Sequence, residues 1–260
     1  MSKEQKNYLK NIKKWKIIVH IIQISIIILF FILWEFLAKK NIINNFAFSQ
    51  PTKIIKTIKE LIITNNLFNH IIATLNEVLI SFTLGIILGF IIAIILYELP
   101  LLSKIVDPFL TMINSLPKVA LGPLIIIIFG ANIKSIIIMA LLINLIVSII
   151  TIYNGFQNID SNKIKLFKSF NATKLQILNL LVIPSSFKTI ISSLKLNISM
   201  SLIGVIMGEF LVSKEGIGYL IIYGTQVFNL SLVISGILIL ILLSFILYKL
   251  INLIENKFIK

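Results

Sequence analysis

The chain has 260 residues, 58% of them hydrophobic and 13% charged, with a mean hydropathy of +1.03. That is more apolar material than a soluble domain of this size needs for its core, so the chain reads as an all-α, polytopic membrane protein. Lysine supplies all 24 basic residues, and a net charge of +14 without a single arginine speaks for leaflet and topology charge and against nucleic-acid binding. The absence of cysteine excludes disulfides, thiolate chemistry and cysteine-ligated metals, and His20 and His70 show no metal-ligand spacing.

Residues 1–16 carry six lysines and one glutamate ahead of an apolar run from about Ile17 to Leu37. The run is too long for a signal-peptide core and no small-residue cleavage site follows it. It is therefore expected to stay as a first span, with 1–16 as a cytoplasmic tail and 17–260 as the transmembrane domain. Pro51 suits the first position of an amphipathic helix over about 51–63. Ile54, Ile55, Ile58, Leu61 and Ile62 form one face of it, and Lys53, Lys56, Lys59 and Glu60 fall mostly elsewhere. Such a helix lies either on a membrane surface or against the protein's own spans.

A second span runs from about Val78 to Tyr97 and holds Gly85 and Gly89, a spacing that permits close helix contact. Prolines at 100, 108 and 117 prevent the next stretch from forming one straight helix. Pro123, inside a third span from about Leu116 to Gly130, implies a kink or break, which a membrane tolerates only where protein or a water-filled path satisfies the freed backbone. The fourth span, about Ser135 to Tyr153, sets Asn144 and Ser148 on one face. On the fifth, about Thr189 to Met207, Ser193, Asn197 and Ser201 repeat every four residues, with Gly204 and Gly208 near the same face. These five polar residues are the candidate translocation path. Being small and uncharged, they suit the gluing of helices even better. Glu209, Lys214 and Glu215 make the following segment too charged for mid-membrane, and its Gly216-x-Gly218 turn lacks the spacing and context of a phosphate loop. A sixth span covers about Leu230 to Leu250.

Between the fourth and fifth spans, residues 154–187 contain Lys163, Lys165, Lys168 and Lys174. Burying four lysines at a bilayer centre would cost about 10 kcal/mol or more, so this interval stands in water. Two short helices are expected there. Asp160 or Ser161 caps the first, which carries Ile164, Phe167 and Phe170 on one side. Asn171, tolerant of the left-handed conformation, ends it; Thr173 and Gln176 form a capping box that starts the second, and Pro184 marks the boundary of the next span. Six alternating spans from a cytoplasmic N-terminus place this loop and the C-terminus inside. Most lysines then fall inside, the exceptions being the five from Lys39 to Lys59 together with Lys134 and Lys214.

The interval resembles the EAA loop of ABC importer permeases: Glu-Ala-Ala, three residues, Gly, then about ten residues to Leu-Pro. Lys165-Leu166-Phe167, Asn171 and Ile183-Pro184 hold those places, with Lys165 where the family has glutamate. The chain also resembles the nitrate, sulfonate and taurine class of these permeases over most of its length. The resemblance is carried by Trp34-Glu35, Ser49-Gln50-Pro51, His70, Asp107-Pro108, Pro117 to Gly130, Ile159-Asp160, Glu209-Phe210 and Gly216 to Leu220. It implies a type I (MetI-like) importer permease fold in a bacterial inner membrane, and no enzymatic activity in the chain itself. Its implied partners are a second permease subunit forming a homodimer, cytoplasmic ATP-binding subunits, an external solute-binding protein and the lipid bilayer. The loop then couples ATPase to permease through Asp160, Ile164, Lys165, Leu166, Phe167, Asn171 and Pro184, with Ile164, Leu166 and Phe167 as the docking knob. ATP belongs to the partner, since the chain has no GxxxxGK[ST] loop, and no cofactor or metal is expected. The solute implied is a sulfonate-, nitrate- or taurine-like anion, or a small heterocycle such as a pyrimidine precursor. The alternative is a stand-alone ion-coupled carrier or channel. It requires an ionisable group within a span, whereas Glu35 and Glu209 lie at expected span ends.

Overall fold

The computed structural model describes residues 3–40, 42, 49–64 and 66–258. Helix α1 spans Lys3–Lys39, so the basic tail continues into the first span as one helix without a break. From Ile17 to Leu33 its described side chains are exposed, outside the bundle; only its end is covered, Ala38 being buried, and it meets α2 (Pro51–Ile63). Pro51 opens α2 as expected, and Glu35 caps it from α1, accepting from Thr52 N–H (3.1 Å) and Oγ1 (3.0 Å). The α2 face is divided: Ile54 is buried, and Ile54 O accepts from Ser235 Oγ at 3.4 Å, while Ile55, Ile62 and Ile63 remain exposed.

Helix α3 covers Asn66–Glu98, and α6 covers Ile133–Gln157. Between them lie α4 (Pro100–Ser115), a 3-10 turn (Lys118–Leu121) and α5 (Gly122–Phe129). The break falls at the edge of the expected third span and not at Pro123, which sits in the first turn of α5: the arms 100–115 and 118–129 meet at 88°. Of the three prolines, Pro100 starts α4 and Pro108 sits inside it; only Pro117 breaks the chain, holding Leu116 before it in an extended conformation (ψ 141°). Eight residues in α5 reach only about 12 Å, too short to cross a bilayer alone. Tyr97 at the end of α3 packs edge-to-face on Phe156 at the end of α6, so those two ends lie together. The chain from Leu99 to Asn132 must therefore travel the height of the bundle, making the bent pair the sixth span. Gly130, at φ 82°, turns the chain so that Asn132 can cap α6 through Lys134 N–H (2.9 Å).

After α6 come α7 (Ser161–Ser169), the single turn α8 (Lys174–Ile177), a π-helical turn (Leu178–Val182) and α9 (Ile183–Val212). Pro184 does not separate α8 from α9. Proline cannot donate to the carbonyl one turn back, and the preceding turn widens instead, with Ile183 N–H reaching Leu178 O. The result is one helical rod from Lys174 to Val212. Helices α10 (Ile217–Gln226) and α11 (Leu230–Phe258) complete the fold. Helix α6 is the centre of the bundle, flanked mainly by α3 and α9, and α11 packs on α10 and α9. Gly85 and Gly89 of α3 receive Asn144 and Ser148 of α6, and Gly204 and Gly208 of α9 lie on Ala140 and Ile136. Small residues bring the three axes close where bulk would hold them apart.

Candidate functional site

The polar loop is built by local capping chemistry. Asp160 accepts from Asn162 N–H at 2.9 Å and starts α7. Asn171 sits at φ 54° just past its end. Thr173 and Gln176 then form the reciprocal box: Gln176 N–H to Thr173 Oγ1 is 3.3 Å, and Thr173 N–H to Gln176 Oε1 is 2.8 Å.

The structure divides the residues of α7 between two directions. Ile164 and Phe167 are half-buried against the protein's own cluster of Ile152, Phe156, Ile177, Leu178 and Val182. Lys165 and Leu166 face outward, Leu166 being 54% exposed, and Phe170 lies beyond the helix end at 76% exposure. Phe170 thus leaves the face that helical spacing gave it, because α7 has already ended at Ser169. Pro184 is exposed on the rod that follows. A small cavity of about 200 Å³ between Tyr97, Pro100, Ile164, Lys168 and Lys174 marks where α7 meets the ends of the spans.

The five residues of the polar stripe are all buried where α3, α6 and α9 meet. Asn144 Nδ2 donates to Ser201 Oγ (2.6 Å) and to Ser81 O (2.8 Å), while Ser148 Oγ donates to Asn197 Oδ1 (2.8 Å). Ser193 turns back to Ile190 O (2.7 Å). Ser81, the third helix's contribution, carries no sequence signal of its own because its partner lies 63 residues away.

Glu209 is fully buried in the last turn of α9, at the span end where the sequence placed it. It accepts from Thr74 Oγ1 (2.6 Å) and Gly218 N–H (2.5 Å), while Thr74 Oγ1 accepts from Ile217 N–H (2.8 Å). His70 Nδ1 accepts from Gly216 N–H (3.0 Å), and its ring stacks on Tyr219. The Gly216-x-Gly218 turn is therefore a clasp around a carboxylate: a side chain at either glycine would strike Glu209, and Gly216 also needs its φ of 109°. Glu77 of α3 is buried close enough to Glu209 for the two carboxyls to interact. Glu77 escapes a sequence reading because the apolar run begins one residue later, at Val78. One acid, Glu77, thus lies within a candidate span and corrects the expectation that none does.

The family model described as binding-protein-dependent transport system inner membrane component matches residues 85–260. Among curated relatives, an ABC transporter permease protein of Haemophilus influenzae is 28% identical over 229 residues, covering 87% of this chain and 92% of its own length. The formylaminopyrimidine transport permease protein ThiX of Halalkalibacterium halodurans is 26% identical, covering 72% of this chain and 74% of its own. Among solved structures, an inward-facing form of the MetNI methionine ABC transporter superposes with a TM-score of 0.65 at 16% identity, covering 75% of this chain and 97% of that one.

Proposed function

The chain belongs to the family of binding-protein-dependent transport system inner membrane components, as a membrane-spanning permease subunit of an ABC importer, and from that premise we propose how it is driven. Separate ATP-binding subunits dock on α7, and their closure on ATP moves α7 with the ends of α3, α6 and the α8–α9 rod to which it is packed. The observation that carries this is the two-sided seating of α7: Ile164 and Phe167 fix it to the core, leaving Lys165, Leu166 and Phe170 for a partner. Asp160, Asn171 and the Thr173–Gln176 box hold its two ends, so a push on the outer face passes to the bundle as a rigid-body displacement. Lys165 offers the ATPase a positive charge, which calls for an acidic partner surface.

The loop and both termini face the cytoplasm of a bacterial inner membrane, where most of the lysines then lie. The permease works as a homodimer, and an external solute-binding protein delivers a small solute to the opposite end. ATP is bound and hydrolysed by the partner, and this subunit needs no cofactor or metal. The polar stripe acts as helix glue. Because the chain has no cysteine, single cysteines can be introduced without background. Leu166→Cys and Phe170→Cys should crosslink to a co-expressed ATP-binding subunit, and Ile164→Cys and Phe167→Cys should not. Equal crosslinking from all four, or none from any, would remove the basis for this assignment.

A further inference from the structure

Three successive N–H groups at the start of α10 are each taken by a side chain from another helix. Gly216 N–H donates to His70 Nδ1 (3.0 Å), Ile217 N–H to Thr74 Oγ1 (2.8 Å) and Gly218 N–H to Glu209 (2.5 Å). A helix start has no backbone acceptors for these groups, so the three side chains hold it in place. His70 and Thr74 stand one turn apart on α3, and Glu209 belongs to the last turn of α9. The turn is thus fastened to α3 at two points and to α9 at a third.

Of the three kinds of acceptor, imidazole is the one that ordinarily gains a proton between about pH 5 and pH 8. Nδ1 accepts only while it carries no hydrogen, so the ring that meets Gly216 is neutral with its proton on Nε2. A proton on Nδ1 would set two donors face to face and end the bond. Glu215, next to Gly216 in the chain, is exposed, and its charge reaches the ring. It is the acceptor to which a cationic ring would turn. The other charged and titratable groups on the elements packed around His70 are Tyr219 and Tyr223 of α10, which stack in series on the ring, and the buried Glu77 of α3 and Glu209 of α9. Lys214 before the turn, Lys134 of α6, and Lys53, Lys56, Lys59 and Glu60 of α2 are exposed.

We propose that His70 is a pH-sensitive latch on the turn between α9 and α10, closed while its ring is neutral and released when the ring takes a proton and turns to Glu215. The bond to Gly216 needs the unprotonated ring, so its contribution is present at higher pH and is lost as pH falls. The turn lies at the end of the bundle opposite α7, so the latch responds to the pH on the outer side. That orientation rests on the importer reading, whereas the latch does not.

The test is hydrogen–deuterium exchange mass spectrometry of the permease with its ATP-binding subunits in nanodiscs, at about pH 8 and about pH 5, with rates corrected for the intrinsic pH dependence of amide exchange. Amides of residues 216–220 should lose protection at least tenfold at the lower pH. His70→Asn puts an amide oxygen where Nδ1 stood and does not titrate, so its protection should be the same at both. Unchanged protection in the wild type, or an equal loss in His70→Asn, would overturn the proposal. A second measurement does not depend on altering the latch: the chain has two histidines, so His20→Gln leaves His70 as the one signal in 15N-histidine NMR. Nδ1 should lack hydrogen at about pH 8 and gain it by about pH 5. Hydrogen on Nδ1 at the higher pH, or a ring still neutral at the lower, would equally overturn the latch. Either failure leaves the importer reading standing, because that reading is decided by whether an ATPase copurifies.

Discussion

Replacing Gly204 by alanine tests the claim that backbone proximity, not side-chain bulk, sets the geometry of the α6–α9 seam. A Cβ at 204 would lie 3.0 Å from Ala140 Cβ and 3.2 Å from Ala140 N, and closer still to its Cα. Backbone cannot rotate away, so the helices must part by about 1 Å to restore ordinary contact. The two hydrogen bonds across the seam, Asn144–Ser201 at 2.6 Å and Ser148–Asn197 at 2.8 Å, would then stretch beyond bonding range. Overpacking costs about 1–3 kcal/mol. Each lost interhelical bond adds about 0.6 kcal/mol. Alanine returns about 1 kcal/mol through helix propensity. The net is a destabilisation of about 2 kcal/mol, dominated by the overpacking. Gly122→Ala is the control: its Cβ would meet Leu211 Cδ1 at 2.5 Å and Met139 Cε at 3.1 Å, the ends of flexible side chains that can move aside, so its cost should be smaller. Unfolding in mixed micelles with increasing SDS, followed by circular dichroism, measures both. Wild-type stability in Gly204→Ala, or an equal loss in Gly122→Ala, would refute the reasoning.

Glu209→Ala should open the clasp, because Gly218 N–H and Thr74 Oγ1 lose their acceptor at about 1–3 kcal/mol each. Amides of residues 216–220 are expected to exchange at least tenfold faster by hydrogen–deuterium exchange mass spectrometry, with Glu209→Gln closer to wild type; unchanged exchange in the alanine variant would show that the turn holds itself. Asp160→Ala and Thr173→Ala should each cost about 1 kcal/mol of local stability, faster amide exchange appearing at the start of α7 and of α8 respectively. Exchange spread evenly over both helices would mean that the caps do not act separately. Thr52→Val removes the hydroxyl donated to Glu35 and should loosen α2 from α1, read as faster exchange at 52–55; no change there would assign the capping by Glu35 to the Thr52 N–H bond alone.

What was legible in the sequence was what local chemistry decides. Asp160, Asn171 and Thr173 with Gln176 act within three residues of themselves, and the ends of α7 and α8 fall where those residues require. Pro117 likewise acts on its immediate predecessor, and the bend is there. What was not legible depends on distant partners. Helical spacing groups Ile164 with Phe167, but only the docked loop shows that this face turns inward and leaves Leu166 outward. Asn144 and Ser148 gain their meaning from Ser81, Ser201 and Asn197 on other helices. Glu77 looks like the polar edge of a span until the fold brings Glu209 to it from 132 positions away. Pro184 suggested a stop because proline breaks the regular ladder, whereas the π-helical turn before it lets the rod continue.

The central claim is that the outward face of α7 receives a separate ATPase. Its most direct test is purification of the tagged chain from its own membranes in mild detergent, with wild type compared to the double variant Leu166→Asp, Phe170→Asp. An ATP-binding subunit should copurify with wild type and be lost from the variant, whose own yield and helicity should not change because both positions are exposed. Retention of the ATPase by the variant, or wild-type protein that carries none from cells shown to express it, would contradict the account.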